Sequence, residues 1–247
     1  MHFIQKNEPE VSCLNIVKDK NLSKMERELN TIIASNSKDK SEKIRKLGSE
    51  YWKKVKTGCK DSIKKSILKE QQSLCVYCEK EINDHADMAH LEHIKPKSIY
   101  LEKCFDYDNL VMSCNGDECS DVNKEDYEDN IHSCGHPKKS DFDEEKFLNP
   151  VELTKITDYF SYDIDTGKIR ASEKDSTKAE YMIELLNLEN PYLNKSRINA
   201  RKSLLKKITK SKYPEQEIKT LLNSGSPHAF ISYLRYYIST TTNFLVF

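Results

Sequence analysis

Residues 75 to 136 concentrate the side chains that bind metals and move protons: six of the chain's eight cysteines and five of its seven histidines fall there. Cys75-Val76-Tyr77-Cys78 is a half-site, because two thiolates on a tight knuckle can each approach one Zn²⁺ at about 2.3 Å. Cys114, Cys119 and Cys134 are the candidates for a second pair. Cys114 and Cys134 each adjoin another element of the pattern, so the expected set is Cys75, Cys78, Cys114 and Cys134, with Cys119 as the competing fourth ligand. A closed four-cysteine site does no chemistry itself. It would staple a turn-rich segment that has little apolar material of its own.

Glu92-His93 carries the reactive chemistry. A neutral imidazole, with an ordinary pKa of about 6.5, can take a proton from water at neutral pH. A Mg²⁺ or Mn²⁺ ion held by a carboxylate or imidazole can stabilise charge on a phosphate and its leaving oxygen. Adjacent residues on a strand point to opposite faces, so Glu92 can hold the ion while His93 faces the attacking water, provided the backbone bends. Asn109 can bond backbone across a loop and fix the imidazole's angle, and His136, after Cys134-Gly135, is the expected second metal ligand at the start of a helix. His90 shares a strand face with Glu92 and reads as a third ligand, a supporting partner or a plain structural residue. His2, His85 and His228 lie outside the pattern. Together these residues point to phosphodiester hydrolysis.

The elements that must position them follow from periodicity. Residues 20–73 lack proline and repeat apolar residues at helical spacing (Leu22, Met25, Leu29; Ile44, Leu47, Tyr51; Ile63, Ile67), which predicts about three helices, with a polar break at 35–41 and a turn at Thr57-Gly58. Trp52 lies in this register and reads as core. Short strands are expected at 89–94 and 109–112, and a polar surface insertion at 116–130. Segments 159–164 and 168–171 flank Asp165-Thr166-Gly167 as a hairpin. Helices follow at about 175–188, 191–211, 214–224 and 226–239, with Pro191, Pro214 and Pro227 near their starts. Tyr233, Tyr236 and Tyr237 read as core and interface. The expected fold class is α+β: mainly helical, with a central metal-stapled core and a small β-hairpin. The expected sections are 1–74, 75–150 and 151–247.

Net charge is zero, but the three sections carry +7, −11 and +4. An acidic centre suits cations and repels nucleic acid, so the basic flanks would have to hold a phosphate backbone. Mean hydropathy is −0.75, and no apolar run reaches the roughly 18 residues of a membrane span. The first ten residues do not read as a signal peptide. The expected location is cytoplasmic, where thiols stay reduced and close cysteines read as metal ligands.

The motif set resembles the HNH, or ββα-metal, endonuclease family: Cys75/Cys78, Glu92-His93-Ile94-Lys95-Pro96, Asn109-Leu110, Ser113-Cys114 and Cys134-Gly135-His136-Pro137-Lys138-Lys139. More narrowly it is similar to the HNH component of Septu-type anti-phage systems, including those attached to retrons. The shared features are Ile4-Gln5-Lys6 with Pro9, Cys75 to Glu79, Glu92 to Lys97, Phe147-Leu148-Asn149-Pro150, and Leu186-Asn187-Leu188 with Leu193 and Arg197. The resemblance implies His93 as general base, Asn109 as its orienting residue, and Glu92 with His136 on a catalytic Mg²⁺ or Mn²⁺, beside a structural Zn²⁺. It implies nucleic acid as substrate (DNA favoured, RNA possible) and no membrane. The implied partner is an ATPase of ABC/SMC-like type, joined in retron-linked members by a reverse transcriptase and its RNA–DNA product. The stretch from Cys114 to Cys134 is longer than the family's compact pattern, which leaves Asn115 with Cys119 as the competing assignment. The rival reading is a catalytically inactive, zinc-stapled module that docks on a partner or nucleic acid.

Overall fold

The computed structural model describes residues 1–7, 12–85, 88–116, 132–223 and 228–241. Three helices come first: α1 (Ser12–Ala34), α2 (Lys40–Lys53) and α3 (Thr57–Glu70). On α2, Leu47, Gly48 and Tyr51 turn inward; on α3, Cys59, Ile63 and Ile67 do so at four-residue spacing, the stripe one helix face buries. α1 begins at Ser12, before the expected start, because Leu14 extends its buried stripe. Thr57-Gly58 opens α3 and does not form the turn; the chain turns at 54–56, where Val55 is buried.

Cys13 and Cys59 form a disulfide that ties α1 to α3, with Cα atoms 5.9 Å apart. This corrects the expectation that the thiols stay reduced: these two side chains face each other from helices whose packing brings them within bonding reach. Cysteine spacing carries no sign of it, since 46 positions separate the pair.

The centre is a two-stranded antiparallel sheet, β1 (Ala89–His93) with β2 (Leu110–Cys114), in which Glu92 faces Val111 and His93 faces Leu110. All five residues of β2 are buried. Among the described residues no third strand lies on its outer edge; the Gln71 amide pairs with Met112 there, its Oε1 accepting from Met112 N at 2.8 Å and its Nε2 donating to Met112 O at 2.9 Å. The Cys75–Cys78 knuckle sits on the same edge, with Val76 N donating to Met112 O. A single turn of helix, α4 (Gly135–Lys138), follows. The expected insertion lies almost wholly outside the described residues, but its ends meet. A Cβ at Gly116 would stand 2.4 Å from Ser133 N, and φ is +78° there, so glycine alone suits the position.

The hairpin β3 (Phe160–Tyr162) and β4 (Ile169–Ala171) precedes α5 (Ser176–Leu185), α6 (Pro191–Lys210), α7 (Pro214–Leu222) and α8 (Ile231–Thr241). Asp175 caps α5 and Asn190 caps α6; Pro191 and Pro214 start α6 and α7, where a missing N–H costs nothing. Pro227 lies outside the described residues. Tyr233 is buried and packs edge-on to Tyr162. Arg197 is buried and donates to Gly167 O, Leu188 O and Asn194 Oδ1, stapling the hairpin turn to α6. Buried apolar side chains from both helical flanks and the central segment join in one core, so the fold is mixed, about half helical, with two small antiparallel sheets among the described residues. No helix among the described residues is long and apolar enough to cross a membrane.

Candidate active site

Four sulfurs converge behind the central sheet. The Sγ atoms of Cys75, Cys78, Cys114 and Cys134 all lie within 4.8 Å of one another, and all four residues are buried. Sulfurs on a tetrahedral Zn²⁺ with bonds of about 2.3 Å stand about 3.8 Å apart. The Cys78–Cys114 separation of 3.6 Å fits that frame. Burial opposes ionisation of Cys75, yet hydrogen bonds from Cys114, Cys134 and Cys78 hold its thiol well below the ordinary value. Burial pushes the Cys134 thiol up. Crowding of thiols that favours a thiolate is what a dication relieves. Cys119 lies outside the described residues. Cys134 completes the cluster from the far end of the insertion, because Gly116 and Ser133 bring that end back beside Cys114.

Cys134 adopts φ +66°, ψ −128°, which costs a non-glycine residue on the order of 1–3 kcal/mol. Its N–H is anchored on Leu186 O at 2.8 Å. Glu79, next to the knuckle, is also left-handed and buried. Burial alone would raise its carboxyl. The Met1 amino group, His2 and Ser232 overcome this and hold it well below the usual carboxylate range. Ser232 N donates to Glu79 Oε2 at 2.9 Å, and Phe230 N to Glu79 O, so the knuckle is tied to α8.

Glu92 and His93 line one pocket of about 190 Å³ with Arg45, Lys97 and Lys139. Three cations from three elements thus surround a carboxylate and an imidazole. The His93 Nε2 stands 3.0 Å from Cys104 O. A carbonyl can only accept, so Nε2 carries the proton and Nδ1 keeps the lone pair. Burial, then the charge of Lys97, push the imidazole down to about 4, so it is neutral at pH 7. Trp52 meets its ring edge-on at 4.6 Å, a contact that a core reading of Trp52 did not foresee.

The Asn109 side chain bonds backbone and not the His93 ring. Its Oδ1 accepts from Lys95 N at 2.7 Å, and its Nδ2 donates to Lys95 O and Lys103 O. These bonds close the loop whose next residue, Cys104, holds the imidazole. The same loop rests on α2, where a Cβ at Gly48 would lie 2.5 Å from Lys97 O. Only a glycine permits that approach.

Lys138 was missed by sequence reasoning. Its ammonium is fully buried and donates to Glu92 Oε1 at 2.8 Å and to His93 O at 3.1 Å. Its position one turn beyond Cys134 could have suggested a side chain returning to the sheet. Glu92 Oε2 faces His90 Nε2 at 3.7 Å. Burial would raise the Glu92 carboxyl, but the bonds to His90 and Lys138 hold it below the usual range. His136 is exposed and does not line the His93 pocket; its ring lies 5.1 Å from that of His90 and 5.2 Å from that of His132. His2 serves Glu79, and His228 lines a different pocket with Lys207.

The site's chemistry is therefore a neutral base on a fixed carbonyl, a carboxylate with one oxygen committed to an ammonium, a surround of cations, and a four-thiol centre alongside. Residues 75–118 match the sequence model of a family described as HNH endonuclease. A Vibrio cholerae (serotype O1, biovar El Tor) protein, assigned by name as the HNH endonuclease of retron Vc95, is 29% identical over 168 residues, covering 65% of this chain and 74% of that protein.

Proposed function

We propose that this chain, a nuclease whose residues 75–118 match the HNH endonuclease family, hydrolyses DNA as the effector of an anti-phage defence system, with His93 as general base. The observation that carries this is the shared pocket of Glu92 and His93 under Arg45, Lys97 and Lys139. The cations draw a phosphate into the pocket. His93 Nδ1 takes the proton of the attacking water, and Cys104 O steadies the imidazolium as it forms. Asn109 keeps that carbonyl in place. Glu92, with His136 from the α4 end, holds a divalent Mg²⁺ or Mn²⁺. Bound there, the ion supplies Lewis-acid stabilisation of the phosphate and the leaving 3′ oxygen. The four cysteines hold Zn²⁺, which makes β1, β2 and α4 a zinc-stapled ββα-metal core.

We keep the division 1–74, 75–150 and 151–247 as one of roles: basic helical arm, nuclease core, and hairpin with helices. The name of the retron relative supports a retron setting, in which an ABC/SMC-like ATPase and a reverse transcriptase with its RNA–DNA product are the partners we propose, in the cytoplasm. The test is cleavage of plasmid, single-stranded DNA and RNA with Mg²⁺ or Mn²⁺. His93→Ala is expected to abolish cutting while fold and zinc content persist. A variant that cuts at the wild-type rate refutes the assignment.

A further inference from the structure

His90 stands two residues before Glu92 on the same face of β1, and three observations bear on its role. Its Nδ1 lies 2.9 Å from Asn115 Oδ1, an acceptor, so Nδ1 carries the proton. Its Nε2 stands 3.7 Å from Glu92 Oε2; in the neutral ring it presents a lone pair to that oxygen, and in the protonated ring an N–H. With the ring neutral, two acceptors face each other at that distance, and a metal ion can take the place that a proton on Nε2 otherwise fills. Donors sharing one ion at bonds of about 2.1 Å stand between about 3 and 4.2 Å apart. Finally, the imidazole has room only because residue 135 is glycine: a Cβ there would lie 2.7 Å from His90 Nε2.

We infer that His90 binds, through Nε2, the same divalent ion that Glu92 holds through Oε2, with Asn115 fixing its tautomer from behind. This rests on the reading of Glu92 as a metal ligand. A histidine ligand backed by an amide oxygen is the usual outer support of a metal imidazole. The other Glu92 oxygen is committed to Lys138, whose ammonium offsets the carboxylate charge. A hard ion such as Mg²⁺ relies on that charge, whereas an imidazole favours borderline ions such as Mn²⁺, Co²⁺ and Ni²⁺. The site therefore selects Mn²⁺ over Mg²⁺.

The experiment uses the full chain with its cysteine site loaded, titrated with Mn²⁺ and read by electron paramagnetic resonance. Pulsed measurement detects the ¹⁴N modulation of a coordinated imidazole. Zinc content and melting temperature monitor the fold. His90→Ala is expected to weaken Mn²⁺ binding about tenfold or more and to reduce the modulation depth. Gly135→Ala removes no ligand atom, yet its new methyl group displaces the imidazole, so it should weaken Mn²⁺ in the same direction. The double variant His90→Ala/Gly135→Ala should bind no more weakly than His90→Ala alone, which also guards against a folding artefact. If Glu92→Gln loses Mn²⁺ but His90→Ala changes neither affinity nor modulation, this inference is overturned while the Glu92 reading survives; His90 is then an imidazolium paired with the carboxylate. If Mn²⁺ binding ignores Glu92→Gln, the reading beneath it falls too.

Discussion

The Cys104 carbonyl accepts the Nε2 proton of His93 at 3.0 Å, and nothing on Cys104's side chain is needed for it. What fixes the carbonyl is Asn109, which bonds Lys103 O, one residue before Cys104, and both backbone groups of Lys95. Asn109→Ala leaves two backbone groups, Lys95 N and Lys95 O, without this partner, while Lys103 O keeps the N–H of Asp106 at 3.3 Å. The expected loss is about 2–4 kcal/mol of stability, with a fall in kcat larger than any change in KM. Urea denaturation and hydrogen exchange across residues 95–104 check it. Protection that stays at the wild-type level would mean the loop is held by other contacts.

The His93 imidazole, pushed down to about 4 by burial and by Lys97, stays neutral through pH 6.5. The kcat/KM profile should therefore remain level where an exposed histidine base would be half lost, and fall only towards pH 4. Stability follows the same residue. Between about 6.5 and about 4 the unfolded chain takes up a proton that the folded chain refuses. Stability is thus full above 6.5 and is lost as pH falls through that window, by about 3 kcal/mol. Lys97→Met removes a charge that disfavours protonation, so the acid limb should move up towards neutrality. A wild-type limb at 6.5 would contradict the burial argument.

Lys138 and Glu92 form an ion pair in which the ammonium has no solvent contact. Lys138→Met strands a desolvated carboxylate and is expected to cost about 3–5 kcal/mol. Adding Glu92→Gln should recover part of the loss, since no charge then remains to be paired. A double-mutant cycle with strictly additive effects would show the pair to be uncoupled.

Zinc content separates the cysteines by role. Cys134→Ala should lose the ion and the cooperative thermal transition, because the cluster then has three sulfurs and the strained turn keeps only its backbone anchor on Leu186 O. Cys104→Ala and Cys119→Ala should each keep one zinc per chain. Elemental analysis decides between them, and retention by Cys134→Ala with loss by Cys119→Ala would reassign the fourth ligand.

Much of this arrangement was legible in the sequence because it is local. Cys75 and Cys78, or Glu92 and His93, are set by spacing along a knuckle and a strand. The hairpin was readable from Gly167, whose φ of +71° the turn requires. Contacts made across the fold were not readable. Lys138 looks like any surface lysine until α4 folds its stem inward. The Cys13–Cys59 bond and the Trp52–His93 contact depend on how helices pack, and no spacing rule carries that. The choice of Cys134 depended on Gly116 turning the chain back to Ser133. Glu79 and Arg197 were visible as motif residues, but their work of tying the knuckle and the hairpin to distant helices was not.

The absence of a side chain at Gly48 reaches further than helix packing. It lets α2 lie directly on the backbone that ends at the imidazole's carbonyl anchor, while Trp52 from the same helix roofs the ring. The proposed site is therefore not a self-contained cassette: cut free at residue 75, it would lose one wall and its roof. α2 is also a lever, since a misplacement of about 1 Å at a reacting group can slow chemistry by roughly a hundredfold. On the proposed assignment, a shift of this helix along its glycine seat would move the His93 ring through its carbonyl anchor and its Trp52 roof.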